Sequence, residues 1–302
     1  MRRDDSLWKG LLEDVFDDFL TFFFKEKAKI FDFDRGFEFL NNELAQLFPI
    51  DENAEHPVFV DKLVKVFTTE GKEEWVLVHV EVQGYNDKDF AQRMFTYFYR
   101  ILDKYNKRVT CIAIFTGSQK KLVPDYYSYE FLGTENHFKY NVYKIIDQNR
   151  DELNNSDNPF ALVILTVLNA LHKGELGEEE LLLLQTGIAK SLFQKNIPKP
   201  KIQAIFVFLR YYVHFDNPEN ISKFDKEINL FLKKNTTMGI EELLIERFEK
   251  KLLEKVKQEI VEEKDTTFVK SLLTSTDFDL QKIANIASVP YSFVEKVKAS
   301  MQ

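Results

Sequence analysis

The chain has 302 residues, 44% hydrophobic and 14% aromatic, with only 10 Gly and 8 Pro; this is core-forming material for about two domains and excludes a disordered or low-complexity protein. Its 41 Lys and Arg against 49 Asp and Glu leave a formal charge of −8, so nucleic acid has to be met through a local basic patch or through metal ions, and a generic DNA-coating protein is excluded. The single cysteine, Cys111, lies in the apolar run V-T-C-I-A-I-F, which excludes an intramolecular disulfide and a Cys-based zinc site and predicts a buried structural thiol.

The opening M-R-R-D-D-S-L-W-K carries acids where a secretory apolar segment would stand, and the longest apolar stretch, Phe160 to Leu171, is well short of the ~20 residues a membrane span needs. The expectation is a soluble, cytoplasmic protein with no membrane partner. From Leu7 to Lys25, Trp8, Leu12, Val15, Phe16, Phe19, Leu20 and Phe23 recur at spacings of three and four, which predicts an amphipathic helix. A second helix is expected over Phe37 to Leu47, between Gly36 and Pro49.

The period then changes to two. Val58, Val60, Val64 and Val66 share one face of a strand, and Val76, Val78, Val80 and Val82 one face of the next, with T-E-G-K-E between them as a hairpin turn. Asn86 to Asn106 reads as a crossover helix, Val109 to Thr116 as a buried strand, and Tyr126 to Leu132 and Phe138 to Ile146 as two further strands around G-T-E-N. This order describes an α/β unit over 1–148. Beyond Arg150 the pattern is helical, at 161–172, 178–194, 204–214, 220–234, 240–263, 280–287 and 291–300, so 149–302 reads as an all-helical domain.

A hairpin centred on Gly71 pairs residues whose numbers add to 142, which sets Asp61 opposite Glu81. Two carboxylates side by side on an apolar hairpin repel unless a cation lies between them. Oxygen ligands from one or two carboxylates, completed by water and a phosphate, suit Mg²⁺ or Mn²⁺. Gln83, two residues after Glu81 on the same face, is in reach of a water that such an ion would activate. An ordinary surface hairpin with solvated acids has the same spacing.

The pattern of one Asp, about twenty residues, then Glu-x-Gln at a strand end, within V-L-V-H-V-E-V-Q-G and followed by D-K-D-F-A-Q-R-M-F-T-Y-F-Y-R, resembles the PD-(D/E)XK nuclease superfamily. More closely it is similar to the Rpn-type recombination-promoting nuclease and transposase families, whose D-x-x-aromatic-Lys opening is matched by D-S-L-W-K at Asp5 to Lys9; F-L-N-N-E-L, with Glu43, adds to the likeness. The resemblance covers about residues 1–147 and implies a restriction-endonuclease-like α-β-β-α-β core with extra edge strands. It also implies a site in which Asp61, Glu81 and Gln83 are catalytic, and Asp61, Glu81 and the backbone carbonyl of Val82 hold Mg²⁺ or Mn²⁺. Gln83 stands where the superfamily usually has Lys, and it brings hydrogen bonds without a charge.

Supporting roles fall to Arg93 and Tyr97, four apart on the next helix with Arg100 close by, to receive a phosphate or brace the carboxylates, and to Lys9 and Glu13 on the first helix. A rim ion pair is an equal reading of the first set and the plainer reading of the second. His79 shares the Glu81 face, as a metal ligand or, more commonly for a strand histidine, a hydrogen-bonded core group; the other histidines show no metal spacing. No G-x-S-x-G, phosphate-cradling loop or dinucleotide fingerprint occurs.

In the helical half, residues 277–300 resemble a helix-turn-helix around S-V-P. Its second helix has Lys296 and Lys298 but no Arg, Asn or Gln before Gln302, which favours packing or self-association over specific base reading. The acid-free stretch Lys190 to Lys201 forms a modest basic patch. The expected function is a metal-dependent DNA endonuclease linked to recombination or transposition, with DNA as partner and a homo-oligomer formed through the helical domain. The alternative is a non-catalytic descendant that keeps the fold as an interaction module.

Overall fold

The computed structural model describes residues 2–40, 60–81, 89–118, 123–235 and 264–299. The first amphipathic stretch forms two helices, α1 (Arg2–Asp14) and α2 (Phe16–Phe24), because the chain leaves helical geometry at Val15, where φ is −129° and ψ 29°. The stripe still does its work: Trp8, Leu11, Leu12, Val15, Phe16, Phe19 and Leu20 are all buried.

The helix expected from Phe37 is corrected for its described part. Glu38–Phe39 form a short edge strand, β1. Phe37 and Phe39 both set their rings against Phe16, at 5.1 and 5.6 Å, while Glu38 between them accepts from Lys65 Nζ at 2.7 Å. That is a period of two, imposed by pairing with β2. The rest of that stretch, 41–47, lies outside the described residues, as does the one expected at 240–263.

β2 (Val60–Phe67) and β3 (Glu73–Glu81) form the antiparallel hairpin, α3 (Phe90–Tyr105) crosses over, and β4 (Val109–Phe115) lies parallel to β3. The strand expected over 138–146 is divided. β5 (Tyr126–Phe131) and β6 (Thr134–Lys139) make a separate two-stranded sheet, while β7 (Asn141–Lys144) joins the main sheet beside β4. Leu132 and Gly133, with φ of +47° and +83°, form the tight turn, so Thr134 to Asn136 belong to β6. Tyr140 marks the corner between β6 and β7: it is buried, its hydroxyl donates to the Pro124 carbonyl at 2.5 Å, and its N–H donates to Asp125 O at 2.9 Å.

The result is a mixed five-stranded sheet in the order β1-β2-β3-β4-β7. Alternation sends Leu63, Trp75, Leu77, Cys111 and Ala113 into a core with Phe90, Met94 and Ile101 of α3. The opposite face buries Val64, Val66, Val76, Val78, Val80, Ile112 and Ile114, and α1 packs on β2 there.

The helices that follow are α4 (Arg150–Asn154), α5 (Phe160–Leu171), α6 (Lys173–Leu176), α7 (Glu178–Gln194), α8 (Lys199–Tyr212) and α9 (Pro218–Asn235). α5 is buried on every side from Phe160 to Asn169, which explains its unbroken apolar sequence. Trp8 of α1 sets its indole edge-on against Phe208 of α8 at 5.0 Å and lies 6.4 Å from Phe160 of α5. Lys201 of α8 donates to Asp17 and Asp18 of α2 at 2.5 and 2.8 Å.

These contacts place helices α4 to α9 in one compact unit with the sheet. By its contacts the chain forms two compact units, 1–240 and 241–302. In the second unit, helical residues 264–275, α10 (Leu280–Ala287) and α11 (Tyr291–Ala299) close a core of Val269, Ile283, Ala284, Val294 and Val297.

Candidate functional site

The hairpin register differs from expectation by two positions. Asp61 pairs with His79, Val60 with Val80 and Phe67 with Glu73, so paired numbers add to 140. The turn is centred on Glu70 and spans Thr68 to Lys72. Thr68 N–H donates to Lys72 O at 2.8 Å, Gly71 N–H donates to Thr68 O at 2.8 Å, and Lys72 N–H donates to the Thr68 hydroxyl at 3.2 Å. Gly71 takes φ +78°, a conformation that carries no steric cost without a Cβ.

Glu81 is therefore the diagonal neighbour of Asp61, not its direct partner. A shift of two preserves the face, so Asp61, His79 and Glu81 still share one side of the sheet. Diagonal positions are roughly 7–8 Å apart, against roughly 5 Å for a direct pair. Both acids lie at the same end of the sheet, Asp61 in the second position of β2 and Glu81 at the last of β3, beside Phe115 of β4. Val82 and Gln83 lie outside the described residues.

The residue that directly faces Asp61 is His79. It is fully buried, with its ring 5.2 Å from Phe90 and 6.4 Å from Tyr97, both on α3. The turn length carried the signal: a five-residue closure beginning at Thr68 brings this pair into register. Tyr97 packs on the core between the sheet and α3, and the Arg93 guanidinium lies 5.3 Å from the Phe90 ring centre. The helix thus brings Arg93 and Tyr97 to the face that carries the acids, while Arg100 is exposed farther along.

Glu13 goes elsewhere. Its carboxylate accepts from Lys62 Nζ at 2.5 Å, and Lys62, one residue after Asp61, points to the opposite face of β2. The Lys62 side chain is only 5% exposed against 42% for Glu13, so this is a cation taken out of water and paired with a carboxylate. Lys9 is half-buried on the same helix as Glu13.

Beneath the site, Cys111 is buried and burial pushes its thiol up to about 12, which makes it inert near neutrality. Among the described residues no group of three or more His, Cys, Asp or Glu is disposed to hold a metal ion. The basic stretch 190–201 is largely engaged: Lys190 pairs with Glu227 at 3.1 Å, Lys195 donates to Ser156 O at 2.8 Å, and Lys201 holds Asp17 and Asp18. No described helix is long and apolar enough to cross a membrane.

Comparison with family models, with curated proteins and with solved structures finds no match for this chain.

Proposed function

We propose that the chain is a divalent-metal-dependent DNA endonuclease related to the PD-(D/E)XK superfamily and its Rpn-type members. Asp61, Glu81 and the backbone carbonyl of Val82 are its metal ligands and Gln83 its third catalytic residue. The observation that carries this reading is the placement of Asp61 and Glu81 on one face, diagonal across a hairpin and at one end of a mixed sheet. Two carboxylates, completed by water, match the oxygen preference of Mg²⁺ or Mn²⁺. Such an ion, when bound, supplies positive charge that offsets the phosphoryl oxygens and lowers the pKa of water.

The chain's own residues do the rest. Gln83 orients the attacking water by hydrogen bonds, Arg93 meets a phosphate oxygen, and His79 and Tyr97 fix the floor under Asp61. A role in recombination or transposition, in the cytoplasm, is part of the same proposal. The test is nicking of supercoiled plasmid by the full chain with Mg²⁺ or Mn²⁺. Cleavage by wild type, lost in Asp61→Ala and in Glu81→Ala, is the expected result; no cleavage, or equal cleavage by both variants, overturns the catalytic reading. Gln83→Ala is expected to slow nicking on the order of a hundredfold.

A second reading, a non-catalytic interaction module, is favoured by Gln83 standing where a Lys charge is usual and by the −8 of the chain.

A further inference from the structure

The first unit holds a cavity of about 340 Å³ where α2, β7 and α4 meet, within the size range of small-molecule sites. Its walls are aromatic. Phe22 and Phe23 at the end of α2 and Tyr143 of β7 stand nearly perpendicular to one another, with ring centres 5.4, 5.8 and 4.8 Å apart. Phe22 and Phe23 also pack on the buried Phe160, at 5.6 and 6.1 Å, so the walls are anchored in the core, yet all three rings are only half-buried. Tyr143 pairs with Ile114 and so belongs to the face of the sheet opposite Asp61 and Glu81.

The amide side chains around the cavity are tied to backbone. Gln148 Nε2 donates to Lys144 O at 2.8 Å, Asn149 accepts from the Asp151 and Glu152 N–H groups, and Asn158 donates to Asp18 O. Two charges of opposite sign also line the cavity, Lys25 and Glu152. Both are exposed and, among the described residues, neither enters an ion pair, with the other or with any third group. Burial, and then the negative charge of Glu152, raise the Tyr143 hydroxyl above its ordinary range, which sets the Glu152 carboxylate within electrostatic reach of the aromatic wall. Lys25 follows the last turn of α2 at φ +49° and ψ −123°, a conformation that glycine takes freely and that a Cβ strains. Strain of this kind collects at ligand sites.

We propose that this cavity binds a small zwitterion with an apolar body, an aromatic amino acid being the chemistry that uses every wall: its ammonium meets Glu152, its carboxylate meets Lys25, and its ring lies against Phe22, Phe23 and Tyr143. The charge-assisted contacts at the two ends orient the ligand, and the ring contacts bury its apolar surface. A ligand with a single charge keeps one of these contacts and is repelled at the other, so the pair of charges selects the zwitterion. The site is separate from the proposed metal site and does not depend on it.

The experiment is a saturation-transfer NMR titration of the full chain, in EDTA, with L-phenylalanine, phenethylamine and 3-phenylpropionate, which share the ring and differ in charge. Wild type is expected to bind L-phenylalanine saturably, with Kd on the order of millimolar, and about tenfold more tightly than either analogue. Glu152→Gln is expected to hold L-phenylalanine no better than 3-phenylpropionate, and Lys25→Met no better than phenethylamine. Both side chains are exposed, so both variants are expected to unfold at the wild-type temperature without ligand. No saturable binding of L-phenylalanine by wild type, equal binding of the three ligands, or L-phenylalanine bound by either variant as tightly as by wild type overturns the inference. Plasmid nicking is read separately, so the failure of one proposal leaves the other standing.

Discussion

The two faces of the five-stranded sheet are built by the same alternation and end up chemically unlike. On the α1 side, valines and isoleucines from β2, β3 and β4 surround the buried Lys62, which is paired with Glu13. On the α3 side the apolar residues Leu63, Leu77 and Ala113 give way, at one end, to Asp61, His79 and Glu81 in adjacent register positions. A buried face is most stable when its polar groups are few and locally satisfied. His79, fully buried on the α3 side, departs from that rule.

The comparison can be broken first on its structural side. Trp8 is fully buried where α1 meets α5 and α8, so Trp8→Ala should cost about 3–5 kcal/mol in denaturant unfolding. Sheet and helices should be lost together in one transition, since both belong to the same compact unit. A loss below about 1 kcal/mol, well outside the range for a buried Trp, would mean that this contact does not join them.

A smaller effect sharpens the contrast between the faces. Glu13→Ala removes a carboxylate from the buried Lys62; the exposure of Glu13 brings the cost below that of a fully buried pair, to about 1–3 kcal/mol. The Glu13→Ala/Lys62→Met variant should regain most of that stability. Both should bind metal as wild type does, because the pair lies across the sheet from Asp61; a loss of metal binding in Glu13→Ala would place Glu13 in the site instead.

The alternation of valines made the hairpin and its two faces legible, because period two is a property of the strand itself. Register was not legible to the same degree. It depends on where pairing stops, and Thr68 leaves the hairpin ladder to bridge Phe31, which no local pattern announces. The placement of Asp61 and Glu81 on one face survived the error only because the shift was even. The edge strand at Glu38–Phe39 was hidden because two residues are too few for a period of two to show.

The polar segment 149–159, N-R-D-E-L-N-N-S-D-N-P, supplies caps and ties. Asn149 accepts from the Asp151 and Glu152 N–H groups at 2.8 and 3.2 Å. The Asn158 side chain donates to Asp18 O of α2 at 2.9 Å. Composition reports that a segment is polar; it does not report whether water or protein satisfies it.

The central claim is that Asp61 and Glu81, diagonal across the hairpin, hold one divalent ion between them. Calorimetric titration of Mn²⁺ into wild type, Asp61→Ala and Glu81→Gln tests it directly, with Glu13→Ala as the control from the other face. The account predicts one site in wild type and in Glu13→Ala, lost in each of the two carboxylate variants. Binding by Asp61→Ala or Glu81→Gln as tight as wild type, or no binding by wild type, would contradict it.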